Sequence, residues 1–117
     1  MSIAALLLAA LSLASPEDWR PVEGLDGIGA KFWVDMDSVR LEEGITHFRT
    51  RVMIPNFDGF AYVDSVANCT AKTAEMRRLE LRRGVTVVKT ESYAPGERTQ
   101  SIDDAQGLIL QALICKP

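Results

Sequence analysis

Hydrophobic and polar positions along this chain change period several times, and each change marks an element. Ile3 to Ala14 is an unbroken run of apolar and small residues with no charge. It is shorter than the ~20 residues a membrane-crossing helix needs, and it shows no polar face. Ser12-Leu13-Ala14 ends the run with small residues at the positions a signal peptidase reads, and Pro16-Glu17-Asp18 follows. The pattern predicts a cleaved signal peptide over residues 1–14 and a single exported domain over 15–117. Trp19-Arg20-Pro21-Val22 reads as a short extended segment before a Gly-punctuated loop, Glu23 to Ala30. Lys31 to Asp35 is rich in strand formers, Met36-Asp37-Ser38 reads as a turn, and Val39 to Leu41 as a brief strand before a turn at Glu42-Glu43-Gly44. From Thr46 to Ile54 the alternation is strict. Phe48, Thr50, Val52 and Ile54 share one face, and His47, Arg49, Arg51 and Met53 the other.

After a turn at Pro55 to Gly59, Phe60 to Cys69 predicts another strand, with Ala61, Val63, Ala67 and Cys69 on one face. Ala71 to Arg83 is ambiguous, because its Ala, Glu, Met, Arg and Leu suit a helix. Its short span between strands and the Arg83-Gly84 turn into Val85 to Val88 favour a strand over Glu75 to Arg83. From Ser101 the period becomes helical. Ile102, Ala105, Ile109, Ala112 and Leu113 form the stripe, Ser101 is the expected N-cap, and Asp103 and Asp104 fall in the first turn. Gly107 is a mild weakness inside that helix. The predicted class is α+β: an antiparallel sheet of about five to six strands with a C-terminal helix packed on it.

Composition narrows the picture. The chain has 117 residues, with 13 Lys and Arg against 16 Asp and Glu, a net charge of −3. That balance excludes nucleic acid and anionic membrane as main partners. There are two cysteines, Cys69 and Cys115. Behind a signal peptide an even pair reads as a disulfide, here one tying the helix to the sheet.

The ordered motifs resemble a known family. They are Trp19 and Val22 in a Trp-x-x-Val opening, then Phe32, Trp33, Asp35 and Ser38 in an aromatic strand-turn. Cys69 precedes Glu75, Arg78, Leu79 and Gly84 in a hairpin, and Ser101 opens a terminal segment that ends in Cys115. Together they are similar to the surface-adhesin protein E-like domain of Gram-negative bacteria. The resemblance implies antiparallel β-structure with a disulfide-joined C-terminal helix and a non-catalytic periplasmic or surface role, in which the domain binds other proteins. The signal region has no cysteine, so no lipid anchor is expected.

Candidate chemistry is sparse, and no cofactor or metal is expected. His47, the single histidine, reads as a solvated residue on a polar strand face. The competing reading is a small secreted hydrolase with His47 beside a Ser or an acid, and a periplasmic inhibitor or assembly factor is a further alternative. Asp35 and Asp37 lack the spacing of a calcium loop. Gly24, Gly27 and Gly29 lack the Lys-Ser/Thr of a phosphate loop. Arg49, Arg51, Arg78 and Arg82 are the candidate partner-binding residues: on neighbouring strands they would form a basic patch, unless interleaved glutamates neutralise it. Trp19 and Trp33 are expected in the core.

Overall fold

A computed structural model describes residues 18–22 and 31–115. The predicted signal peptide and the loop Glu23 to Ala30 lie outside the described residues. The chain forms a seven-stranded sheet: β1 (Trp19–Val22), β2 (Phe32–Glu42), β3 (Ile45–Met53), β4 (Phe60–Asn68), β5 (Thr73–Arg83), β6 (Thr86–Ser92) and β7 (Thr99–Ser101). β1 to β6 are paired in chain order, each antiparallel to the next, and β7 returns to pair with the start of β5. One helix follows, α1 (Ala105–Ile114). This is the predicted α+β class, with one strand more than expected. The ambiguous segment is strand β5. The extra strand is β7, whose residues are all exposed and show no apolar alternation.

Strict alternation in β3 gives the sheet two distinct faces. Thr46, Phe48 and Thr50 are buried on the inner face, under α1, beside Ala67, Val63 and Ala61 of β4. Val22, Val34, Phe48, Ala67 and Ala74 pack there with Ile102, Leu110 and Ile114. The disulfide Cys69–Cys115 joins the residue after β4 to the C-cap of α1, with Cα atoms 5.7 Å apart.

Four local expectations are corrected. Met36 to Ser38 does not turn the chain: β2 runs through it, with a register shift against β3 between Asp35 and Arg40. The predicted side-chain chemistry is present but staples a bulge. Asp35 Oδ1 accepts from the Asp37 amide at 3.1 Å, and the Ser38 hydroxyl donates to the Asp35 carbonyl at 2.6 Å. The tryptophans are half-buried on the outer face, because Trp33 alternates with the core residue Val34 and Pro21 and Trp19 lie across from Trp33 and Asp35.

The helix starts later than predicted. Its N-cap is Asp104, which accepts the Gly107 amide at 2.6 Å, whereas the Ser101 hydroxyl caps the Asp103 amide at 3.1 Å. Ile102 lies before the helix, held in the core with its amide bonded to the Lys72 carbonyl at 2.9 Å. The buried stripe is accordingly Gly107, Leu110 and Ile114, rotated from the expected one. Asp104→Ala is expected to lower stability by about 1 kcal/mol, read by chemical denaturation, since it leaves first-turn amides without an acceptor. Ser101→Ala should cost less.

Candidate functional site

No described element covers the outer face, and its side chains line up in cross-strand rows. One row runs Asp35, Arg49, Asp64, Arg78 across β2 to β5. The next runs Pro21, Trp33, Arg51, Tyr62, Glu80, Thr90 from β1 to β6. A third holds Met53, Phe60 and Arg82. Directly opposed residues in a sheet interact, so register alone assembles an alternating charge ladder beside an aromatic and arginine row.

All four predicted arginines lie on this face, but they do not make one basic patch. β3 and β5 are not neighbours: β4 lies between them and supplies Asp64. Arg49 Nε donates to Asp64 Oδ1 at 2.9 Å. Arg82 Nε donates to Glu80 Oε1 at 2.8 Å, and Arg78 lies 3.7 Å from Glu80 Oε2. The Glu80 carboxyl is held below its ordinary value by the Arg82 hydrogen bond first, then by the charges of Arg82, Arg78 and Arg49, against its partial burial.

Arg51 differs. Its guanidinium carbon lies 4.6 Å from the Trp19 ring centroid, 4.9 Å from Phe60 and 5.2 Å from Trp33. Those rings brace one another and Tyr62 by tilted and edge contacts: Trp19–Tyr62 at 6.2 Å, Trp33–Phe60 at 6.1 Å and Phe60–Tyr62 at 6.4 Å. Arg82 lies 4.5 Å over Tyr62, and Lys31 5.2 Å over Trp33. The tryptophans are what the sequence reading misplaced. Parity held the signal, since Trp33 alternates with Val34, but grouping them with Arg51 and Tyr62 required the strand register.

His47 lines a polar depression of about 330 Å³ with Asp35, Ser38, Arg40, Arg49 and Asp64. Its Nε2 lies 3.6 Å from Glu42 Oε2. The nearby Ser38 hydroxyl is committed to backbone: it donates to Asp35 and accepts the Arg49 amide at 2.8 Å. Among the described residues no hydrogen bond joins Ser38 to His47. Among the described residues no cluster of His, Cys, Asp and Glu could hold a metal, and no helix is long and apolar enough to cross a membrane.

Further glutamates sit in ion pairs and hydrogen bonds. Glu75 is depressed by the Gly96 amide and then by Arg77, Glu91 by the Tyr93 hydroxyl and then by Lys89, and Glu42 by Arg40. A carboxyl with a depressed folded value stabilises the fold above its unfolded value and loses that contribution as the pH falls through the folded one. The melting temperature is therefore expected to fall as the pH drops below about 4.3, the unperturbed glutamate value. Thermal melts between neutral and strongly acidic pH check this, and added salt should reduce the fall.

No protein-family model, curated protein or solved structure matches this chain.

Proposed function

We propose that this chain is an exported, non-catalytic binding domain of the surface-adhesin protein E-like type, and that it engages a protein partner through the outer face of its sheet. The observation that carries the reading is the open row of Trp33, Arg51 and Tyr62, backed by Trp19 and Phe60, on the side of the sheet opposite α1. Aromatic and arginine side chains clustered on an open surface are the composition of interface anchors. The disulfide and the apolar run at residues 3–14 support an oxidising, extracytoplasmic setting.

Two measurements test this. Intact mass of protein recovered from the periplasm should show residues 1–14 removed and the cysteines oxidised; retention of residues 1–14 would contradict export. A photo-cross-linking residue at Met53, exposed on the outer face, should then give a specific protein adduct in native cells. The same residue at Leu108, exposed on α1, should not. Adducts of equal yield from both positions would remove the outer face as the interface.

A further inference from the structure

Among the described residues, three of the four candidate partner-binding arginines have an acid at hand and Arg51 has none: Asp64 holds Arg49, and Glu80 serves Arg78 and Arg82. Among the described residues the Arg51 side chain makes no hydrogen bond and no ion pair, only its three ring contacts. Its Nε is sealed from solvent without an acceptor. Of the guanidinium nitrogens, Nε alone is sealed in this way. A guanidinium stripped of part of its hydration, and given no counter-charge, is a poor arrangement for a free surface and a prepared one for an anion. Rings packed around it exclude water and so strengthen whatever ion pair forms there.

We infer that Arg51 is the receptor for a carboxylate on an acidic segment of the protein partner. The inference rests on the protein-binding reading above and names the chemistry of the partner at that site. The two terminal amino groups of a guanidinium form a fork that fits a carboxylate in bidentate geometry. The rings argue for an acidic peptide over an acidic sugar. Arg51 faces Trp19, Trp33 and Phe60, Lys31 also lies over Trp33, and Arg82 lies over Tyr62. Cations already lie over faces of all four rings, and Trp33 is approached by two of them. A pyranose must stack flat on an open aromatic face, which this arrangement does not favour. Ring edges, by contrast, carry the positive end of the aromatic quadrupole and tolerate a carboxylate well.

The test uses the full disulfide-bonded protein and the two indole N–H resonances of Trp19 and Trp33. Acetyl-Glu-Leu-Glu-Leu-Glu-amide should shift both resonances saturably, and the shift should weaken with added salt. The same peptide with Gln for every Glu should leave them in place. Arg51→Gln should abolish the response, and Arg51→Lys, which keeps charge but loses the fork, should weaken it at least tenfold. Equal shifts from both peptides, or no shift from the acidic one, overturns the inference. So does undiminished binding to a folded Arg51→Gln protein. A response to trigalacturonate without one to the acidic peptide also overturns it and assigns the site to uronic-acid glycans. The two peptides on unaltered protein decide the matter even if the variants fail to fold. If the Met53 adduct forms undiminished in folded Arg51→Gln, protein binding stands while this inference falls.

Discussion

Cys115→Ser, or reduction of the native bond, is expected to lower stability by about 2–5 kcal/mol, the usual loss for a native disulfide in a small secreted domain. The cysteines are 46 residues apart in sequence. Closing a loop of that length removes roughly 4 kcal/mol of unfolded-chain entropy in the chain-entropy model. The bond also lies where the fold has little else to hold it. The backbone of α1 runs closest to β1 and β2, and the helix is buried through Gly107, Leu110 and Ile114. At its start α1 is fixed by the Asp104 cap and by Gln111 Nε2 donating to the Ile102 carbonyl at 2.7 Å. At its end, the disulfide is the tie to β4. Hydrogen exchange should therefore rise first at Leu113 to Cys115. Protease sensitivity read from sequence alone points to the polar segment Tyr93 to Gln100. The structure moves it into α1, because the Tyr93 amide bonds Arg77, the Arg98 carbonyl accepts from Met76, and β7 pairs with β5. An unchanged melting temperature on reduction would mean that the cysteines are not joined.

Where local and long-range signals agree, the elements were legible. β3 and β4 alternate cleanly because one face is buried, and the tight turn at Glu43 and Gly44 requires the positive φ of 52° and 80° found there. Asp35 to Ser38 shows the limit: the same side-chain bonds serve a turn or a bulge, and pairing with β3 decides for the bulge. Ser101 and Asp104 are equally good caps in isolation. The choice falls to Asp104 because Ile102 is drawn into the core and bonded to Lys72, too early for a helical turn. The outer-face site was half legible. Its arginines could be named, and Glu80 between Arg78 and Arg82 can be read from β5 alone, but that Asp64 reaches Arg49 while no described acid reaches Arg51 depends on the register of β3 with β4. That is a property of the sheet and not of any segment.

Gly107→Ala is expected to destabilise the protein, although helix propensity alone predicts the opposite. In an exposed helix interior, alanine in place of glycine stabilises by about 0.8–1 kcal/mol. Here a Cβ on residue 107 would lie 1.9 Å from the Ile102 carbonyl oxygen and 2.4 Å from its carbon. Those atoms are backbone and cannot rotate aside. The same carbonyl accepts from Gln111 Nε2, and the Gly107 amide is itself the donor to the Asp104 cap, so a shift to relieve the clash also strains both hydrogen bonds. Overpacking of this kind costs roughly 1–3 kcal/mol, which exceeds the propensity gain. The methyl should push the start of α1 away from Ile102 and loosen Leu110 and Ile114 from the sheet. Leu108→Ala, one residue along on the exposed side, is the control and should change stability by no more than about 0.5 kcal/mol. Urea denaturation of the two variants beside the native protein reads the difference, and a Gly107→Ala protein as stable as the native one would show that α1 does not approach Ile102 this closely.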